Sequence, residues 1–227
     1  MRVSQVVLGG DPKQLGPVIH SPEAQKHGLK TSLLERLLGR PMYADYDPKY
    51  ITMLKRNYRS HALLLEVPNA LFYDGALEAC ADPMITDCRL HWDGLPTQGV
   101  PLCWHGVEGK ENREAGSPSW FNSDEAVIVL KRVTSLMRMR PDCKQENIGI
   151  ITAYNKQVHK IMRLLKMHDL GDIKVGSTET FQGQERQIII ISTVRSSLDF
   201  LGFDVKHNIG FLDNPKRFNV AGTICKH

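Results

Sequence analysis

Asp11 and Gln14, within the stretch G-G-D-P-K-Q-L-G-P over 9–17, are the first residues whose types and spacing could serve chemistry. Gln5 to Leu8 (Q-V-V-L) reads as the tail of a buried strand, and Gly9 and Gly10 let the chain turn sharply after it. Asp11 and Gln14 then present polar groups at the carboxyl end of that strand, the edge where ligands sit in open α/β sheets. On this reading the chain opens inside a site whose other half is expected to precede residue 1.

Three later stretches carry polar groups in similar settings. N-Y-R-S over 57–60 reads by itself as a helix cap followed by a surface arginine. E-T-F-Q-G-Q-E over 179–185 reads as a polar crossover with a glycine for its turn, and K-R-F-N-V-A over 216–221 as the start of an amphipathic helix. Taken singly, each fits an ordinary turn or cap as well as a site.

The elements that must position these residues follow from the hydrophobic pattern. Ser32 to Leu38 places Leu33, Leu34, Leu37 and Leu38 at helical spacing. Pro41 to Pro48, with proline at both ends and aspartates between, reads as a linker. His61 to Tyr73 is helical in pattern, with Pro68 expected to bend or interrupt it. The stretch 79–98 reads as loop, Pro101 to Val107 as a strand, and 107–120 as a surface loop. Asn122 and Glu125 form a capping box that opens a helix to about Met137, with Ala126, Val127, Leu130, Val133 and Met137 inward. Ile148 to Ala153 is a continuous apolar strand, the mark of burial on both faces. A helix over 156–167 with Val158, Ile161, Leu164 and Leu165 inward follows, then short and long strands at 173–175 and 186–194. Strand, helix, strand in this buried pattern implies a parallel sheet covered by helices.

Composition narrows the class. The chain has 227 residues, 41% hydrophobic and 24% charged, with a formal net charge of +4. That suits a soluble globular protein and permits a polyanionic partner without demanding one. Five cysteines without a C-x-x-C pair argue against both a zinc site and a disulfide framework, and for a reducing, cytoplasmic compartment. No apolar run approaches a membrane span, and the amino terminus is too short in apolar residues for a signal peptide.

Order and spacing change the weight of the four stretches. G-D-P-K-Q-L-G-P, N-Y-R-S, a strand ending in T-A-Y-N-K-Q, V-G-S-T-E-T-F-Q-G-Q-E and N-P-K-R-F-N-V-A occur in the order of the later motifs of superfamily 1 helicases. Phrases such as Q-K-H-G-L, S-L-L-E-R-L-L, S-P-S-W-F-N and N-I-G-F-L-D-N-P-K-R-F-N-V-A resemble the Armitage-like branch of RNA helicases, the group named after a Moloney-virus insertion locus. The resemblance covers nearly the whole chain and fails after Ala221.

That resemblance implies an α/β fold with a RecA-like parallel sheet flanked by helices. Residues 1–40 would close a first RecA-like domain, 45–221 would form most of a second, and 222–227 would be a divergent tail. It implies an ATP-dependent RNA helicase working in small-RNA silencing, with single-stranded RNA, the rest of the helicase and Argonaute/Piwi-type proteins as partners, in the cytoplasm and ribonucleoprotein granules. The cofactors would be ATP and Mg²⁺. A non-catalytic RNA- or protein-binding piece and a DNA-directed helicase are the alternatives.

By the same resemblance Gln14 would sense the γ-phosphate and position water, and Arg59 would be an arginine finger, a role suited to its planar charged fork. Asp11 and Gly183 would belong to the nucleotide-binding set. Tyr58 would stack on adenine, and Glu185 would accept from the ribose hydroxyls. Thr152, Tyr154 and Gln157, then Ser177, Thr178 and Gln182, would face the RNA strand and grip its backbone without reading bases. Ala153 stands where the family has proline. Lys216, Arg217 and Asn219 hold their family positions, and Arg195 is read equally as a surface salt bridge or a site residue.

Two departures bear on activity. No G-x-x-x-x-G-K-[ST] occurs, and Gly109–Lys110 lacks both the upstream glycine and the hydroxyl. The phosphate-cradling loop and the Mg²⁺-binding acidic pair are expected before residue 1. Where the family reads R-F-N-V-A-x-T-R-A, this chain has Ile224 at the second arginine, and isoleucine cannot stabilise a phosphoryl charge. The chain is therefore expected to hydrolyse no ATP by itself.

Overall fold

The computed structural model describes residues 5–43, 46–88, 90–114, 116–117, 119–195 and 214–226. Its residues fall into two units that divide between Lys55 and Arg56. The residues N-I-G-F-L-D over 208–213, which form part of the resemblance, lie outside the described set.

In the first unit, helix α1 (Pro22–Lys26) starts at Ser21, whose hydroxyl accepts from Ala24 N, and helix α2 (Leu33–Leu38) starts at Ser32, which accepts from Glu35 N at 3.1 Å. A serine at the cap is the reason that each begins where it does. The expected buried strand over 5–8 is not formed: the segment is irregular and Val7 is 95% exposed. A strand needs a ladder partner and a covering layer, and no strand occurs among the described residues of this unit. None of its described residues is buried.

The second unit contains β1 (Arg56–Asn57), α3 (Ala62–Phe72), β2 (Glu78–Ala79), α4 (Pro83–Thr86), β3 (Glu111–Arg113) and β4 (Trp120–Asn122). There follow α5 (Ser123–Met139), β5 (Ile148–Thr152), α6 (Asn155–Lys166), β6 (Lys174–Gly176), α7 (Thr178–Phe181), β7 (Ile188–Ser192) and α8 (Pro215–Thr223). The fold is α/β, as the pattern implied. Its main sheet has the order β6-β5-β7, all parallel, with Ile150 opposite both Val175 and Ile190. All five residues of β5 are buried. Helices α5 and α6 pack on each other and supply Ala126, Val129, Val133, Leu136, Ile161 and Leu165 to one core with Ile148 and Ile150.

Several local expectations are corrected. Residues 101–107 form no strand, whereas the polar segment Glu111–Arg113 does, because β4 lies antiparallel beside it with Arg113 opposite Trp120. Short α4 interrupts the stretch read as loop, capped by Asp82. On α5 the buried stripe includes Val129 and Leu136, while Val127 is 40% exposed. The stripe is turned by about one position, a shift that periodicity alone resolves poorly. Helix α3 runs through Pro68 without interruption. The ring is buried, and a Cβ on Gly222 of α8 would sit 3.7 Å from it, so packing against α8 offsets the lost hydrogen bond.

Gly149 lies where the sheet is closely packed. A Cβ there would lie 2.8 Å from Phe181 Cε1 and 2.9 Å from Ile189 Cδ1. Gly149→Ala is expected to destabilise the second unit by about 1–3 kcal/mol through overpacking, read as a lower urea midpoint with unchanged slope. An unaltered midpoint would contradict this packing.

Candidate functional site

The tight segment after β1 is built by Asn57, whose side-chain oxygen accepts from both Arg59 N and Ser60 N at 2.9 Å. This Asx-type turn fixes the backbone that carries Arg59. Arg59 Nε donates to Glu185 Oε2 at 2.9 Å, and Arg59 Nη1 donates to the carbonyl of Thr223 at 3.3 Å. Arg59 and Glu185 come from separate motifs, 126 residues apart in the chain. The other oxygen of Glu185 meets Lys226 Nζ at 3.0 Å. Lys226 holds the Glu185 carboxyl below its ordinary range, and Arg59 adds to this against a partial desolvation that works the other way. Its contribution to stability is thus present above the ordinary carboxylate pKa and is lost as pH falls through the lowered value.

Nearby backbone fits the same picture. Gly183 has φ +75°, a left-handed conformation that L side chains rarely adopt, so the Q-G-Q turn depends on glycine. The ring of Tyr58 is 67% exposed. Asp11 and Gln14 belong to the first unit, where Asp11 closes a turn by accepting from Lys13 N through its carboxylate and from Gln14 N through its carbonyl.

The tail after α8 is held firmly. Arg186 and Cys225 form a parallel bridge, Lys226 N donates to the Arg186 carbonyl at 2.8 Å, and Ser60 Oγ donates to the Cys225 carbonyl at 2.9 Å. Ile224, at the position where the resemblance puts arginine, is buried.

At the carboxyl edge of the main sheet, Thr152, Tyr154, Gln157 and Thr178 are buried, Ser177 is half-buried and Gln182 is exposed. Gln157 accepts from Asn122 N at 3.0 Å and donates to the Asn122 carbonyl and Ser192 Oγ. Both amide hydrogens are engaged, so what Gln157 offers a ligand is the backbone that it holds in place. Glu125 was read as the second half of a capping box. The structure keeps only the first half, Glu125 N donating to Asn122 Oδ1. The Glu125 carboxylate turns instead to the end of β7, accepting from Thr193 N and Val194 N at 2.8 Å. Burial raises its pKa, with those two bonds pulling the other way. Val194 has φ +67°, rare for a β-branched residue.

Arg195 is not a surface ion pair. It is buried, 3.2 Å from Glu111 and with its guanidinium 4.6 Å above the ring of Trp120. Arg217 pairs with Glu179 at 2.9 Å, Asn219 Nδ2 donates to Tyr73 Oη, and Lys216 is half-buried near the start of α8. Lys226 and Glu125 are the participants that sequence reasoning missed. The cap signal N-S-D-E named Glu125 for another task, and nothing in the pattern singled out Lys226. Among the described residues no three His, Cys, Asp or Glu side chains group as a metal site requires, and no described helix is long and apolar enough to cross a membrane.

A family model described as an AAA domain matches residues 29–227. The chain belongs to this family. The chain is 50% identical to the protein named RNA helicase Mov10l1 of Mus musculus, over 98% of its own length and 20% of that protein. It is 37% identical to the probable RNA helicase armi of Drosophila melanogaster over 96% of this chain and 20% of that protein. With the regulator of nonsense transcripts 1 homolog of Neurospora crassa it shares 35% identity over 98% of this chain and 20% of that protein. The resemblance to Armitage-like superfamily 1 helicases therefore holds, and this AAA domain spans about a fifth of the length of these relatives.

Gln157→Leu is expected to cost about 1–3 kcal/mol for each Asn122 group that it leaves without a partner, read as a lower thermal midpoint. A midpoint equal to that of the unmodified AAA domain would contradict the role of Gln157 as a buried tether.

Proposed function

We propose that this AAA domain is part of an ATP-dependent RNA helicase, and that its second unit supplies residues to the nucleotide site. The observation that carries the reading is the 2.9 Å contact between Arg59 and Glu185, which joins two motifs far apart in sequence. One composite site requires such a convergence. The residues fit a nucleotide: Arg59 offers a partly exposed cation for a phosphate, Glu185 a carboxylate for ribose hydroxyls, and Tyr58 an exposed ring for a base. ATP bound there would supply the cleavable phosphoanhydride whose developing charge arginine and Mg²⁺ stabilise. Arg59 would hold a phosphate and Glu185 would orient the sugar. For Asp11, Gln14 and Gly183 the support is the motif itself and, at Gly183, the turn.

The names of two relatives, RNA helicase Mov10l1 and probable RNA helicase armi, support RNA as the strand that is moved. Ser177 and Gln182 reach the surface, while Thr152, Tyr154, Gln157 and Thr178 shape the backbone at the sheet edge. Backbone N–H groups and small hydroxyls there would grip phosphates independently of sequence. Small-RNA silencing, Argonaute/Piwi-type partners and a cytoplasmic location rest on the Armitage-like resemblance.

The test is RNA-stimulated phosphate release together with RNA affinity, on the protein that carries this domain. Arg59→Ala is expected to lower turnover by about 10³-fold or more, with Gln14→Ala also acting on turnover, while RNA affinity without nucleotide stays unchanged. Loss of RNA binding in proportion to turnover would contradict these assignments.

A further inference from the structure

Glu185 is shared by two cations from different parts of the chain, and the second has no place in the motif reading. Lys226 lies after α8, where the parallel bridge between Arg186 and Cys225 and the bond from Lys226 N to the Arg186 carbonyl fix the direction of the backbone. That return brings Lys226 Nζ to 3.0 Å from Glu185 Oε1, while Arg59 Nε holds Oε2 at 2.9 Å. The side chains of Arg59, Glu185 and Lys226 are 40%, 42% and 42% exposed, so all three are open to an external ligand. Two positive charges on one carboxylate leave the three-residue cluster with a net positive charge.

We propose that Lys226 is a second phosphate-binding cation of the nucleotide site, standing beside Arg59 and held next to it by their shared carboxylate. This rests on the reading of Arg59 and Glu185 as nucleotide residues. A nucleoside triphosphate carries several negative charges against the single charge of Glu185, so it competes for both cations at once. Lysine acts toward phosphate as a compact point charge on a flexible stem. It can move from Glu185 to a phosphate without disturbing the tail, because the tail is anchored through its backbone. Ile224, two residues earlier, is buried and apolar and offers no such contact.

The experiment is calorimetric titration of the protein that carries this chain with ATP, ADP and adenosine, with thermal melts to confirm that each variant folds. Lys226→Gln is expected to weaken ATP binding about tenfold, weaken ADP binding less, and leave adenosine binding unchanged. Lys226→Arg is expected to bind ATP like the unmodified chain, and the ATP defect of Lys226→Gln should shrink as salt rises. If Lys226→Gln changes ATP and adenosine binding alike, or changes neither while Arg59→Ala weakens ATP binding, Lys226 is only a tail anchor and the inference is overturned. If Arg59→Ala also leaves ATP affinity unchanged, or the unmodified protein binds no ATP, the nucleotide reading fails and takes the inference with it.

Discussion

A parallel strand buried on both faces leaves backbone groups at its carboxyl end that the sheet cannot satisfy. In the second unit β5 is such a strand, fully buried between β6 and β7. Much of the polar chemistry at that edge answers this constraint. Glu125 closes the end of β7 through Thr193 N and Val194 N, and Gln157 ties Asn122 to Ser192. An orphaned buried N–H or carbonyl costs about 1–3 kcal/mol, a large share of a domain's net stability of about 5–15 kcal/mol. Buried amides and carboxylates are therefore needed there before any ligand is considered.

The same economy of contacts explains the Arg59 site. Asn57 shapes the turn that presents Arg59, and Glu185 receives it from the far side of the motif order. The exposed Arg59–Glu185 pair is worth little as a stabilising ion pair. Such a pair adds little to folding, which leaves it available for the binding role proposed above. A guanidinium, an ammonium and a carboxylate that are only partly covered remain free to exchange partners when a stronger anion arrives, whereas the buried Arg195–Glu111 pair under Trp120 has no such freedom.

Which parts were legible in the sequence follows from the range of the interactions. The isoleucine-rich β5 and β7 and the amphipathic α5 and α6 announce themselves through local period, as does α2 through its leucine spacing, whereas the five-residue α1 is too short to show a period. The order of the motifs led to Arg59 and Glu185 before their contact was known. Strand formation was misjudged wherever pairing decides it: Gln5–Leu8 is apolar but has no described partner strand in its unit, and Glu111–Arg113 is polar but has β4. Gln157 reads as a polar residue on an amphipathic helix, and only the path of β4 beside α6 buries it. Lys226 was invisible because its role depends on a tail that turns back to Arg186, a contact that no local pattern encodes.

The central claim is that the N-Y-R-S and Q-G-Q-E motifs build one nucleotide site. Photolabelling with 8-azido-ATP followed by peptide mapping addresses it directly, since the azide sits on the base that Tyr58 is proposed to stack against. The account requires label on the segment containing Tyr58, or on the turn around Gly183, removed by excess ATP. ATP-protectable label confined to segments away from both, or no protectable label at all, would contradict it.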